Sequence, residues 1–76
     1  MEPTHRLDVL GHYCPVPVSQ TRKALAKLDG GDVLLVLTDD PETVHDIPNL
    51  IERLGHRMVD VLKEAGEFRF IIEVGP

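Results

Sequence analysis

The chain has 76 residues, one cysteine, no tryptophan and a formal net charge of −5. A chain this short is expected to form one domain over residues 1–76 and to bury only about 60% of its unfolded surface. We therefore expect a shallow surface site. The acidic balance disfavours nucleic-acid binding, which needs Lys and Arg to neutralise phosphates. One cysteine excludes an intramolecular disulfide, a CxxC redox pair and a cysteine-rich zinc site.

Two further features of the sequence bear on location. No apolar run approaches the roughly 20 residues that cross a bilayer. The first residues lack the charged-then-apolar layout of a secretory signal. We therefore expect a cytoplasmic protein with no membrane contact.

The first half of the chain predicts a strand, a turn and a helix. Loose alternation over residues 5–10 indicates a strand, and residues 11–13 form a short turn into Cys14. Residues 15–28 have helical periodicity, and Asp29 with two glycines ends the helix. One stripe of this helix is expected to face the core: Val18, Thr21, Leu25 and Leu28.

The second half begins with a short apolar run over residues 33–37, which predicts a central, mostly buried strand. A helix follows, and its proline at position 48 would cost roughly 3 kcal/mol in a helix interior. We therefore predict an irregular turn over residues 41–45 and a helix that begins at Asp46, with Pro48 in its first turn. The apolar positions expected to face the core are Val44, Ile47, Leu50, Ile51 and Leu54.

Two more strands are predicted over residues 56–63 and 67–74, joined by a turn at Ala65-Gly66. The last strand alternates, with its apolar residues on one face and Arg69 and Glu73 on the other. The predicted fold class is α/β. It is a two-layer α/β sandwich of order β-α-β-α-β-β, with two helices on one face of a four-stranded mixed sheet.

Cys14 lies directly before Pro15-Val16-Pro17, where the first helix is expected to begin. Proline is tolerated in a first helical turn, and the residue before it is disfavoured from the α region, which suits a cap position. Cys14 would then face free N–H groups, which lower a cysteine pKa and favour the nucleophilic thiolate. The alternative is a buried structural cysteine. A connection between elements usually lies at the surface, which favours the reactive thiol.

His12 is a candidate partner of Cys14 because a nearby histidine can activate a thiol. The two side chains supply only two metal ligands, too few for a zinc site, so neither a metal nor another cofactor is expected. A solvated turn histidine is the more common outcome for such a residue.

Arg22 and Lys23 follow Cys14 on the same predicted helix. They either form a basic patch that docks a partner or stabilises an anionic sulfur, or belong to an ordinary solvated face. Asp39 and Asp40 form an acidic pair, but they precede a proline at a predicted helix start. Helix capping explains them without acid–base catalysis.

These motifs resemble the signature of the TusA/SirA-like family of sulfur-carrier proteins. That pattern runs Leu-Asp, Gly, Cys-Pro-x-Pro, then a basic residue and an apolar pair on the helix. It is matched by Leu7-Asp8, Gly11, Cys14-Pro15-Val16-Pro17 and Lys23-Ala24-Leu25, with the downstream landmarks Asp39-Asp40-Pro41 and Asp46-Ile47-Pro48. The likeness covers residues 6–74. Position 12 departs from it, being His where an apolar residue is common.

The resemblance implies a fold like the C-terminal domain of translation initiation factor 3. It also implies that Cys14 accepts sulfur as a persulfide and passes it to another protein, with Pro15, Pro17, Gly11 and His12 as the surrounding motif. Family donors are cysteine desulfurases or rhodanese-type proteins. Acceptors include relay proteins for tRNA thiolation and, in sulfur oxidation, DsrE-like and heterodisulfide-reductase-like proteins. Such a carrier turns over only with its partners, so whether it counts as an enzyme is open.

Two other classes of function compete with this hypothesis. A regulatory or interaction module with a structural or redox-sensing Cys14 would alkylate slowly at neutral pH. RNA binding is suggested only by analogy of fold, which does not imply function. The acidic balance and the few aromatic residues disfavour it.

Overall fold

The computed structural model describes residues 2–75, which form four strands and two helices in the predicted order. No helix in this part of the chain is long and apolar enough to span a bilayer. The elements are β1 (His5–Asp8), α1 (Val16–Ala26), β2 (Val33–Thr38), α2 (Thr43–Leu54), β3 (Arg57–Glu64) and β4 (Glu67–Glu73).

The strands form one mixed sheet in the order β1-β2-β4-β3. β1 and β2 are parallel, and α1 supplies the crossover that parallel neighbours require. β4 is antiparallel to β2 and β3. The β3–β4 turn has positive φ at Ala65 (52°) and Gly66 (79°), as a two-residue type I′ hairpin demands. The predicted turn at Ala65-Gly66 is confirmed, and it closes a hairpin.

The core lies between one face of the sheet and both helices. On β2, Leu34 and Val36 point to this face, opposite Ile72 and Phe70 of β4 in the strand register. Leu25 of α1 packs into the same cluster. Ile47, Leu50 and Ile51 supply the buried face of α2. The prediction that Val44 and Leu54 also face the core is wrong, since both side chains are exposed. The predicted two-layer sandwich with both helices on one face is therefore confirmed.

β1 and α1 each end two residues before the predicted position. β1 ends at Asp8, although the N–H of Val9 still donates to the Leu37 carbonyl. α1 ends at Ala26, since the N–H groups of Lys27 and Leu28 donate three residues back and tighten the last turn.

The predicted start of α2 at Asp46 is wrong. The helix begins at Thr43, so Pro48 lies inside it. Tight bonds within residues 40–45 satisfy the first N–H groups and let the helix begin early. Pro48 has no N–H to donate to the carbonyl of Val44. The side chain of Val44 is exposed, so water can donate to that carbonyl instead.

Candidate functional site

Cys14 is exposed in the connection between β1 and α1. The N–H of Ser19 donates the first α-helical bond to the Pro15 carbonyl at 3.0 Å. Pro15 is therefore the N-cap residue. Cys14 lies one residue before the cap, so the expectation that it is itself the cap is wrong by one position. The prediction of an exposed thiol beside the helix start is confirmed.

The first turn of α1 offers Cys14 few free donors, contrary to the sequence-based expectation. Pro15 and Pro17 have no N–H, and the N–H of Val16 donates to the Tyr13 carbonyl at 2.9 Å. Of the N–H groups in this turn, only that of Val18 is left over, because the carbonyl four residues before it lies outside the helix. The two prolines that mark the helix start therefore also remove the donors that would have faced the sulfur.

Asp40 bonds the backbone of the cysteine loop, residues 9–15 between β1 and α1, although it lies 26 positions after Cys14 in the sequence. The N–H of Cys14 donates to Oδ2 of Asp40 at 2.7 Å, and the N–H of Glu42 donates to Oδ1 at 3.1 Å. Asp40 is only 4% exposed. Its neighbour Asp39 accepts a bond from the N–H of Gly11 at 3.0 Å. The prediction that the acidic pair caps α2 is wrong, because the N-cap residue is Glu42 and no side-chain bond caps the helix. The pair instead fixes the loop that carries the thiol.

Two buried threonines fix Asp40 in turn. The backbone N–H of Asp40 donates to Oγ1 of Thr38 at 3.1 Å. The Thr43 hydroxyl donates to the Asp40 carbonyl at 2.6 Å and lies 2.9 Å from Oγ1 of Thr38. Both threonines are at most 1% exposed. Such a closed, satisfied network gives Asp40 a defined position.

The remaining motif residues take varied positions around the thiol. Gly11 has a φ of 81°, a left-handed conformation that suits glycine. Pro17 is buried, and its carbonyl accepts the Thr21 hydroxyl at 2.7 Å. His12 is exposed in the turn before Cys14. Within residues 2–75, no group of three or more His, Cys, Asp or Glu side chains is placed to hold a metal ion.

An open groove of about 240 Å³ begins at Cys14 and runs between the two helices. Its α1 wall includes Pro15, Val18 and Arg22, and its α2 wall includes Asp46, Asn49 and Arg53. Lys23 is exposed but does not line the groove, so its docking role stays a prediction from the sequence alone. The structure thus brings Arg22 and Cys14 to the same surface feature.

Arg53 and Asn49 were not identified by sequence reasoning. They lie seven and three residues after Asp46, which places all three on one face of α2. Two features of the sequence could have identified them: this spacing, and the two predicted helix starts, one just after Cys14 and one just after Asp40. Because β1 and β2 are parallel, their carboxyl ends meet at one edge of the sheet. The helices that follow them therefore start side by side.

The two arginines of the groove carry unpaired charge. In the part of the chain that the structure describes, the ion pair within 4.0 Å is Arg57 with Glu73, at 3.5 Å. Within residues 2–75, Arg22 and Arg53 have no such partner, although the whole chain carries a net charge of −5. Beside the thiol, Tyr13 is 72% exposed and Val16 is 38% exposed. The surface around Cys14 therefore combines free cations with apolar side chains.

Comparison with known proteins agrees with this geometry. A family profile described as "Sulfurtransferase TusA" matches residues 5–74. The chain belongs to the TusA family. A relative from Archaeoglobus fulgidus with the name "Putative sulfur carrier protein" is 39% identical over 70 residues, covering 91% of each chain. The TusA-family fold also matches the crystal structure of a SirA-like protein from Desulfitobacterium hafniense. The TM-score is 0.82 at 32% identity, covering 95% of this chain and 99% of that one.

Proposed function

We propose that this sulfur carrier of the TusA family accepts one sulfur atom on Cys14 as a persulfide and delivers it to another protein. The observation that carries the proposal is the exposed, free thiol of Cys14 at the mouth of the groove between the helices. Asp40 holds the backbone of this residue in place. A partner can therefore reach the sulfur without rearrangement of the core.

The chemistry needs only the Cys14 thiolate and a donor persulfide. The thiolate attacks the terminal sulfur of the donor, a bond forms between that sulfur and Sγ of Cys14, and the donor's S–S bond breaks. The donor cysteine leaves as a thiolate with the electron pair. An acceptor thiolate repeats the step on the loaded carrier and expels the Cys14 thiolate. The electron count balances in both transfers, so no external oxidant or reductant is required.

The absence of a second cysteine suits this role. The chain has one cysteine, so no internal thiol is present to attack the persulfide and release its sulfur as sulfide. One free exposed cysteine also suits a reducing compartment, and we place the relay in the cytoplasm. The groove between the helices supplies the docking surface, with Arg22 on its wall.

The partners follow from the same chemistry. A cysteine desulfurase or a rhodanese-type protein supplies sulfur as a protein persulfide. The acceptor is a further relay protein, either in tRNA thiolation or in sulfur oxidation, where DsrE-like and heterodisulfide-reductase-like proteins take this place. The acidic chain itself does not need to contact the tRNA.

Intact-protein mass spectrometry tests the proposal. The wild-type chain and Cys14→Ser are incubated in parallel with a cysteine desulfurase plus cysteine, and with a rhodanese plus thiosulfate. We expect the mass of one sulfur atom to be gained by the wild type only and removed by a reductant. Equal gain by Cys14→Ser would contradict the assignment of the site. Failure with both donors, together with slow alkylation of Cys14 at neutral pH, would favour the regulatory module.

A further inference from the structure

The groove beside Cys14 has a charge pattern that runs along its length. Both helices start at the Cys14 end, since Asp40, just before α2, bonds the backbone of Cys14, just before α1. Asp46 lies near that end, whereas Arg22 and Arg53 lie about two turns further along their helices. The groove therefore passes from a carboxylate near the thiol to two arginines, one on each wall.

The distance between the thiol end and the arginines follows from helix geometry. Arg22 is seven residues beyond Pro15, which corresponds to about 10 Å along the axis of α1 at 1.5 Å per residue. An extended peptide advances about 3.3 Å per residue, so it covers this distance in about three residues. A partner segment lying in the groove would place its third residue from the reacting cysteine at the arginine pair.

We propose that the partner surface recognised by this groove is an extended segment with an Asp or Glu about three residues from its reactive cysteine. This inference rests on the proposed function and adds the chemistry of the partner. Arg22 and Arg53 are unpaired within residues 2–75, so a partner carboxylate is their available counter-charge. A guanidinium pair binds a planar carboxylate in a defined orientation. Asp46 repels an acid placed directly beside the cysteine, which sets the spacing.

The assignment gives Arg53 a role that no motif of the sequence suggests. Arg22 alone would attract any acidic surface. Two guanidinium groups on opposite helices instead hold one carboxylate between them and fix the direction in which the segment enters. Arg53 is thus a specificity-determining residue that acts on the partner and does not touch the transferred sulfur.

A peptide series tests this inference without a persulfide. Each synthetic peptide carries one cysteine as its mixed disulfide with thionitrobenzoate and one Glu. The Glu stands next to the cysteine, about three residues from it, or at the far end of the peptide. The Cys14 thiolate attacks the peptide sulfur, a new S–S bond joins the two chains, and thionitrobenzoate leaves with the electron pair as a coloured thiolate. All peptides have the same composition and net charge.

We expect the peptide with the intermediate spacing to react about three- to tenfold faster than the other two at low salt, as two exposed ion pairs allow. The advantage should shrink as salt is raised. In the double variant Arg22→Gln/Arg53→Gln, the rate ratio should fall to about one. Lys27→Gln, which removes a cation directly after α1 and outside the groove, should keep the wild-type ratio.

Because the readout is a ratio within one protein, a general change in thiol reactivity cancels. If the double variant does not fold, the single variants Arg22→Gln and Arg53→Gln serve instead, and each should lower the rate ratio toward one. Equal rates for all three spacings in the wild type would overturn the inference, as would an unchanged ratio in the double variant. Either result is independent of sulfur loading on Cys14, which tests the proposed function separately.

Discussion

Removing one oxygen of Asp40 is expected to weaken both the fold and the cysteine loop. In Asp40→Asn, an amide nitrogen replaces one of two oxygens that each accept a backbone N–H, from Cys14 and from Glu42. The amide nitrogen cannot accept, so whichever way the amide turns, one of these N–H groups loses its partner.

The magnitude follows from the hydrogen bond that is lost. A hydrogen bond to a charged group contributes about 1.5–3 kcal/mol, and Asp40 is buried, so we expect Asp40→Asn to lower the free energy of unfolding by about 2 kcal/mol. For a domain of this size, that loss corresponds to a fall in Tm of roughly 8–16 °C. Asp39→Asn is the matched control. Asp39 uses one oxygen, to Gly11, and Asn retains such an acceptor, so its cost should stay within about 0.5 kcal/mol.

Urea unfolding followed by circular dichroism measures both variants, and amide hydrogen exchange reports on the loop. The N–H of Cys14 or that of Glu42 should exchange faster in Asp40→Asn than in the wild type, because one of the two has lost its acceptor. Equal stability of the Asp40 and Asp39 variants, with unchanged exchange at both Cys14 and Glu42, would refute the anchoring role of Asp40.

Four further substitutions test the fold. Phe70→Ala removes a fully buried ring and should cost about 3–5 kcal/mol, seen as a large fall in the urea midpoint; a midpoint equal to wild type would contradict the core assignment. Pro48→Ala should raise the free energy of unfolding by about 1–3 kcal/mol, because it restores a helical donor in α2; a loss would mean that ring packing outweighs that bond. At the hairpin, Gly66→Ala should lower the free energy of unfolding by about 1 kcal/mol and Ala65→Gly should raise it by about the same amount, since both positions have positive φ. Both changes are measured as shifts of the thermal midpoint. Opposite signs would rule out the type I′ turn.

Local pattern was sufficient for most of the fold. The alternation of apolar residues that includes Phe70 and Ile72 reflects burial on one face of the sheet. The uninterrupted apolar run of β2 reflects burial on both faces, and both patterns are visible directly in the spacing of the sequence. The start of α2 was missed for a physical reason. The cost of Pro48 is a local quantity, whereas hydrogen bonds within residues 40–45 and burial of Ile47 outweigh it in the folded chain.

The candidate site was predictable only in part. Cys14 and its prolines form a contiguous motif, so their position at the start of a helix can be predicted from the sequence. The bond from Cys14 to Asp40 joins residues 26 positions apart, and Arg53 and Arg22 line one groove only because two helices pack side by side. Such contacts depend on tertiary packing and produce no periodic pattern in a single sequence.

The most direct test of the account is to locate the transferred sulfur by fragmentation mass spectrometry of the chain after a single turnover with a desulfurase and cysteine. We expect one additional sulfur atom on the peptide that contains Cys14, removed by reductant and absent from Cys14→Ser. Sulfur on any other residue, or an equal gain by Cys14→Ser, would contradict the assignment of Cys14 as the carrier site.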